Sequence, residues 1–201
     1  MKLAIMTKST FFVEEDKILA TIFEAGLDNL HLYKPGSSPI YSERLLSLLP
    51  DTTYDKITVH GHFYLKEEYS LAGIHLDNSS QIPPIGYKGT VSRTCSCLDE
   101  LKAAKKQSAY VFLNNTFGTE DAPSQTWFSN DELTKAAKSG LIDKKVFALG
   151  NVSSENIQTA RDLGFGGIVI GCDLWSRFDI HNQSDYKDLI AYFERLRKMV
   201  R

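Results

Sequence analysis

The chain has little cysteine and no long apolar run. Its 201 residues include three cysteines, and Cys95 and Cys97 are too close together for a disulfide framework or for the usual spacing of zinc ligands. No apolar run is as long as the roughly 18 residues that a membrane-spanning helix needs. Residues 1–7 lack the features of a signal peptide. We therefore expect a cytoplasmic protein with no membrane partner.

An excess of charge of one sign is also lacking. The chain has 23 Lys and Arg against 25 Asp and Glu, which gives a formal net charge of −2 at pH 7. This balance gives no indication of a nucleic-acid partner. Low-complexity linkers are absent as well, and 42% of the residues are hydrophobic, which is enough for one core. We predict a single domain that spans residues 1–201.

Short apolar runs alternate with amphipathic stretches along the chain. The runs predict strands at residues 2–7, 29–33, 56–60, 73–75, 89–95, 110–113, 145–149 and 167–171. The stretches predict helices at residues 13–24, 42–49, 98–104, 131–138, 154–163 and 186–200. This alternation is typical of parallel α/β folds, and eight strands predict a single TIM (β/α)8 barrel. A doubly wound open sheet is the alternative, although no glycine-rich dinucleotide motif follows the first strand.

Polar and small residues gather where the predicted strands end, which is where barrels carry their chemistry. The last two ends carry Gly150-Asn151 and Gly171-Cys172. Glycine lets backbone N–H groups approach an anion, and a helix N-terminus favours negative charge, so these ends predict a phosphate site. The alternative is that these glycines serve only to form tight turns and bind no ligand. Asp173 would weaken the phosphate site if its carboxylate faced the same place.

Histidine and lysine at other strand ends are candidates for catalysis. His60 and His62 are two residues apart, so in an extended segment both imidazoles point to the same side. They are candidates for acid–base chemistry or, with further ligands such as His75, for a hydrolase-type metal site. Lys34 ends the second strand and is a candidate to meet a ligand phosphate. His31 lies in mid-strand and is interpreted as a core residue.

Seven segments of the chain are similar, in order and spacing, to those of one known family. They are residues 30–34, 59–63, 73–76, 92–100, 110–113, 117–119 and 148–156. They resemble the thiamine-phosphate synthase (pyrophosphorylase) superfamily, which includes the thiazole tautomerases. Its synthases join a pyrimidine methyl diphosphate to a thiazole phosphate and release pyrophosphate. The resemblance implies a transferase of thiamine biosynthesis, small phosphorylated pyrimidine and thiazole ligands, and Mg²⁺ as a cofactor. A homodimer is left open.

Several family residues differ in this sequence. Tyr33 replaces an Arg, Gly61 replaces a metal-binding Asp, and Asn151 replaces the second glycine of the phosphate turn. The loop at residues 118–122 has gained two acids and lost the Lys that the family uses for the diphosphate. We therefore also consider a thiazole tautomerase-like isomerase, although Asn115 stands where that branch has its His. A non-catalytic binder of thiamine precursors is a further alternative.

The predicted site combines the strand ends with this resemblance. The candidate catalytic residues are Lys34, His60 and His62. Asp77 is the candidate ligand for Mg²⁺, because it lies close to the position of the family's later metal-binding Asp. The candidate substrate-binding residues are Tyr33, His75, Thr94, Ser96, Asn114, Asn115, Thr119, Gly150, Asn151, Gly171 and Cys172.

Overall fold

Eight parallel strands close into a barrel in chain order. The structure is a computed structural model that describes residues 1–118, 127–179 and 185–201. The strands are β1 (Lys2–Met6), β2 (Leu30–Tyr33), β3 (Ile57–His60), β4 (Gly73–Leu76), β5 (Thr90–Cys95), β6 (Tyr110–Leu113), β7 (Val146–Ala148) and β8 (Gly167–Ile170). β8 pairs with β1 in parallel, from Lys2 opposite Gly167 to Ile5 opposite Ile170, and this pairing closes the barrel. The predicted TIM barrel is thus confirmed, and the open-sheet alternative is wrong.

Helices follow the strands along the chain. They are α1 (Glu15–Glu24), α2 (Pro39–Leu48), α3 (Tyr64–Glu68), α4 (Leu101–Gln107), α5 (Asn130–Lys138), α6 (Ile157–Asp162), α7 (Cys172–Trp175) and α8 (Lys187–Val200). Sequence patterns do not predict α3 and α7, because five and four residues are too few to show helical periodicity. Within the described ranges, no helix is long and apolar enough to cross a membrane.

Local interactions explain where some of these helices form. The Ser129 hydroxyl accepts a hydrogen bond from the Glu132 N–H at 3.2 Å, and the Glu132 carboxylate accepts one from the Ser129 N–H at 2.8 Å. This reciprocal pair satisfies two N–H groups that the start of α5 would otherwise leave unpaired. α8 instead depends on tertiary packing, since it buries a stripe that includes Leu189 and Phe193 and contacts β1.

The interior of the barrel has an apolar half and a polar half. β1, β6, β7 and β8 supply Ala4, Phe112, Phe147 and Val169, a cluster separate from the main hydrophobic core. β2 to β5 supply imidazole and hydroxyl side chains instead. These are His31, Thr58, His60, His75, Ser92 and Thr94. Polar side chains buried in this way cost free energy unless they are hydrogen-bonded, so the polar half must form a network.

Removing an aromatic ring from the apolar half tests this packing. Phe147 is 2% exposed and stacks on Tyr110 with ring centroids 5.0 Å apart. We expect Phe147→Ala to lower the free energy of unfolding by about 3–5 kcal/mol in a urea titration, because it leaves a cavity. Ile85→Ala, at a fully exposed side chain, is the control and should leave that free energy almost unchanged. Equal effects of the two substitutions would contradict the described packing.

Candidate active site

Three histidines from adjacent strands meet inside the polar half. His31 comes from β2, His60 from β3 and His75 from β4. The ring centroid of His31 lies 5.1 Å from that of His60 and 5.1 Å from that of His75. His60 stacks on His75 with their centroids 4.2 Å apart. The strand register produces this arrangement. His60 lies directly opposite His75 on β4 and opposite Tyr33 on β2. His31 comes two residues before Tyr33 on β2, so it lies deeper in the barrel. His60 is the last residue of β3, so it lies on the side of the cluster that faces the carboxyl ends of the strands.

A chain of hydrogen bonds runs from the strand ends to the far side of the cluster. His60 Nδ1 lies 2.6 Å from the Asp77 carboxylate, and His60 Nε2 lies 2.8 Å from His31 Nδ1. His31 Nε2 lies 2.9 Å from the Tyr110 hydroxyl, which accepts a hydrogen bond from Asn29 Nδ2 at 3.3 Å. An ionised carboxylate only accepts, so with neutral rings His60 donates to Asp77, His31 donates to His60 and Tyr110 donates to His31. The direction of the chain is therefore fixed.

Burial keeps the three imidazoles neutral. Desolvation lowers the pKa of His31 and of His75 well below its ordinary value, and neighbouring imidazoles add to the effect. Burial also lowers the pKa of His60, although its hydrogen bond to Asp77 acts in the opposite direction. His75 is held in place by two hydroxyl groups, those of Ser92 and Thr94, each 2.8 Å from one of its ring nitrogens.

Asp77 stands at the outer end of the chain, with its side chain 45% exposed. Its N–H donates to Gln81 Oε1 at 2.8 Å. Arg93 is buried on β5 and donates to three backbone carbonyls of residues 78, 79 and 81 at 2.7–3.2 Å. These bonds hold the loop that follows β4, so the Asp77 carboxylate is held against His60.

The expected pairing of His60 with His62 is wrong. β3 ends at His60, and the next two residues take positive φ values, 75° at Gly61 and 43° at His62. The chain leaves the extended conformation at this point, so the period of two no longer applies. His62 Nε2 instead donates to the Ser37 carbonyl at 3.0 Å. The H-x-H arrangement of a hydrolase-type metal site is therefore not formed by these two residues.

Lys34 is held by partners within the protein, and its contact with a ligand phosphate stays a prediction. Its ammonium lies 2.6 Å from the Glu15 carboxylate, and both side chains are 2% exposed. It also donates to the Thr10 carbonyl at 2.9 Å. Burial lowers the pKa of Lys34 and raises that of Glu15, but the short contact joins them as a buried pair. An exposed cation follows β1 instead: Lys8, which shares a small cavity with Trp175.

The turn after β7 is shaped by close backbone packing. Gly150 and Asn151 have positive φ values of 97° and 49°. A Cβ atom on Gly150 would lie 2.8 Å from the Asn115 nitrogen, so only glycine lets this turn approach the one after β6. Asn156 then fixes the loop, since its side chain donates to the Asn151 carbonyl at 2.8 Å and accepts from the Ser153 N–H at 3.0 Å. The predicted turn chemistry alone thus accounts for Gly150, and a phosphate site remains a prediction.

Asp173 is neutralised by its own neighbours. Its carboxylate accepts hydrogen bonds from Arg177, at 3.2 Å, and from the Tyr192 hydroxyl of α8. The Arg177 guanidinium also lies 3.5 Å from the centre of the Tyr192 ring. A carboxylate bound in this way opposes an anion at the neighbouring strand ends less than a free one does.

The remaining predicted residues have different surroundings. The Tyr33 ring packs edge-on against His60 with centroids 5.2 Å apart. Ser96 and Cys172 are exposed, and the Asn114 N–H donates to the Cys95 carbonyl at 2.9 Å. A Cβ atom on Gly171 would meet only Met6, at ordinary contact distance. Thr119 lies outside the described residues.

A comparison with solved structures identifies the family. The chain matches a thiamine phosphate pyrophosphorylase from Bacteroides thetaiotaomicron at 43% identity and a TM-score of 0.89. The match covers 99% of this chain and 97% of that one. The chain belongs to the thiamine phosphate pyrophosphorylase family. The family resemblance expected from the strand ends is thus confirmed, and with it membership of an enzyme family.

More distant structures share the fold alone. A thiamine phosphate pyrophosphorylase from Pyrococcus furiosus matches at 19% identity and a TM-score of 0.74, covering 99% of this chain and 95% of that one. A tryptophan synthase alpha-subunit from the same organism matches at 12% identity and a TM-score of 0.66, covering 98% and 97%. No family model and no curated protein matches the chain.

Two members of this site, His31 and Tyr110, are not predicted from the sequence. His31 was interpreted as a core residue, and the structure adds that it connects His60 to Tyr110. A signal is present in β2 and β4, since each strand places one histidine between two apolar residues. The polar half lies just below the ends of β2 to β5.

Breaking the buried pair distinguishes a structural Lys34 from a ligand-binding one. Lys34→Met leaves Glu15 charged and unpaired, so we expect the free energy of unfolding to fall by about 3–5 kcal/mol in a urea titration. The double variant Lys34→Met/Glu15→Leu should recover most of that loss. Lys17→Met removes an exposed pair with Glu14 and is the control, with little change expected. Unchanged stability of Lys34→Met, together with lost binding of thiazole phosphate, would contradict the structural role.

Proposed function

We propose that the protein is a diverged thiamine-phosphate synthase, which joins a pyrimidine methyl diphosphate to a thiazole phosphate and releases pyrophosphate. The observation that carries this proposal is 43% identity over nearly the whole length of a thiamine phosphate pyrophosphorylase. In this reaction the bond between the pyrimidine methylene carbon and the diphosphate oxygen breaks, and the thiazole nitrogen forms the new bond to that carbon. The chain must therefore hold two phosphorylated ligands at the strand ends.

The thiazole phosphate is proposed to bind at the ends of β7 and β8. Gly150 and Asn151 form a turn with positive φ values, and turns of this kind can present successive backbone N–H groups to an anion. Asn156 holds that loop through the Ser153 N–H and the Asn151 carbonyl, and does not use the backbone N–H groups of residues 150 and 151. Lys8 adds an exposed positive charge beside Trp175, whose indole N–H donates to the Met6 carbonyl at 2.7 Å and joins α7 to β1.

The described residues do not fit the Mg²⁺ ion that the resemblance implies. Mg²⁺ requires several oxygen ligands in octahedral geometry, and Gly61 has no side chain to offer at one family position. Asp77 Oδ1 already lies 2.6 Å from His60 Nδ1, so this carboxylate has one oxygen left to offer. Departure of the diphosphate then lacks the family's charge compensation, and we expect slow turnover.

An isomerase of the tautomerase type is a second candidate, and the Asp77–His60 pair favours it. A partly exposed carboxylate backed by a neutral imidazole can accept a proton from a substrate and return it. Asn115 stands at the family position of the tautomerase histidine, so in this chain the acid–base group would be Asp77 with His60 behind it. An isomerase of this type requires only a thiazole phosphate substrate and no pyrimidine diphosphate.

Calorimetry with each ligand, with and without Mg²⁺, separates these functions. A synthase binds both the pyrimidine diphosphate and the thiazole phosphate, and mixing the two releases pyrophosphate. An isomerase binds thiazole phosphate without metal and ignores the pyrimidine. A binder of thiamine precursors binds without any turnover. Absence of binding for both phosphorylated ligands would refute the proposed function.

A single charge change tests the phosphate position. Asn151→Asp keeps the shape and the tolerance for positive φ, but it places a carboxylate on the proposed cradle. We expect the dissociation constant for thiazole phosphate to rise at least about tenfold, a change that corresponds to 1.4 kcal/mol. Gln107→Glu makes the same charge change at the exposed end of α4, by the start of β6, and should leave binding unchanged. Equal affinity of both variants would exclude this turn as the phosphate site.

A further inference from the structure

The histidine cluster has the composition of a transition-metal site. His31, His60 and His75 each offer a ring nitrogen, and these three nitrogens lie within 4.8 Å of one another. The side chains are almost completely buried and come from three adjacent strands of the barrel, so their positions are set by a rigid scaffold. We infer that His31, His60 and His75 bind one divalent transition-metal ion inside the barrel. This site differs in ligands and in depth from the Mg²⁺ position that the family resemblance implies.

Binding the ion requires the three rings to rearrange locally. Bonds of about 2.0–2.1 Å in tetrahedral geometry separate two ligand nitrogens by about 3.4 Å. His31 Nδ1 and His60 Nε2 are 2.8 Å apart, so they need to separate by only about 0.6 Å. His75 supplies the third nitrogen by turning out of its stack with His60 and giving up one of its two hydroxyl partners. The fourth position then belongs to water or to another small ligand, as in metal sites that are open for chemistry.

The proton count of this step balances. Without metal, His31 carries its proton on Nδ1, which donates to His60. On binding, that proton moves to Nε2, which then donates to the Tyr110 oxygen. The Tyr110 hydroxyl turns to Thr58 Oγ1, which is 3.5 Å away. All three rings remain neutral, and no proton has to leave the protein.

The outer partners match those of metal-bound histidines. A ligating imidazole uses its second nitrogen to donate to a carboxylate or another acceptor, which fixes its orientation and raises its basicity. His60 has Asp77 in this place at 2.6 Å, His31 has Tyr110 at 2.9 Å, and His75 has a serine or threonine hydroxyl. Each ring therefore has an outer partner on one side and the other two rings close by.

The ligand chemistry selects the kind of metal. Neutral imidazoles suit Zn²⁺, Co²⁺, Ni²⁺ and Cu²⁺, whereas Mg²⁺ and Ca²⁺ prefer oxygen ligands. Burial lowers the pKa values of these histidines and so favours the neutral form of the rings, which is the form that binds a metal. Asp77 contributes a negative charge through its contact with His60 and offsets part of the charge of the ion.

Metal binding is tested on the full chain without a polyhistidine tag. After removal of metal with a chelator, we expect one equivalent of Zn²⁺ or Co²⁺ to bind, with the intense visible absorption of tetrahedral Co²⁺. His60→Gln and His75→Gln should each weaken binding at least about a hundredfold, and Asp77→Asn about 10–100-fold. His62→Gln is the matched control, because that ring is bound to the Ser37 carbonyl outside the barrel, and it should bind as the parent does.

Two results would overturn the site. One is Co²⁺ binding that is absent, or that is equal in the parent, His60→Gln and His75→Gln. The other is X-ray absorption of the zinc-loaded parent that finds fewer than three nitrogen ligands, a measurement that does not depend on any variant folding. Because no substrate is used, failure here leaves the proposed function intact, and absence of phosphate-ligand binding leaves the metal site intact.

Discussion

The imidazole of His31 is completely buried in the barrel, and a buried ring nitrogen without a partner costs free energy. Both of its nitrogens are paired, one with His60 and the other with Tyr110. The first pairing leaves only Nδ1 of His60 free to meet Asp77. The position of a carboxylate at the strand ends therefore depends on a histidine one pleat below it. The polar half of the interior supplies the hydrogen-bond partners that these buried rings need.

The fold could be predicted from the sequence because strands buried on both faces leave continuous apolar runs. The predicted strand at residues 110–113 coincides with β6, and that at residues 167–171 exceeds β8 by one residue. α7 could not be predicted, since only Gly171 separates it from β8 and its four residues are too few to show a period. The sequence predicts that Cys172 belongs to a strand end, whereas the structure places it at the start of α7.

The candidate site could be predicted only in part, because each missed feature depends on the course of the backbone or on a distant partner. His62 turns away from His60 because positive φ values follow β3, and no local pattern indicates them. Lys34 is occupied by Glu15, a partner 19 residues earlier that only the packing of α1 brings near. Gly150 was found because glycine before a helix start is a local signal, and its close approach to Asn115 explains the residue. Family membership therefore says more about the fold than about which side chains do the chemistry.

The fixed direction of the hydrogen-bond chain restricts the order in which this interior can change during evolution. Each link between Tyr110 and Asp77 has one donor and one acceptor, so the loss of a middle member leaves two neighbours unsatisfied at once. Loss of Asp77, at the exposed end, leaves a single ring nitrogen that water can reach. Descendants of this chain should therefore lose the network from the strand ends inward, and a lineage that has exchanged Asp77 would be expected to retain His31.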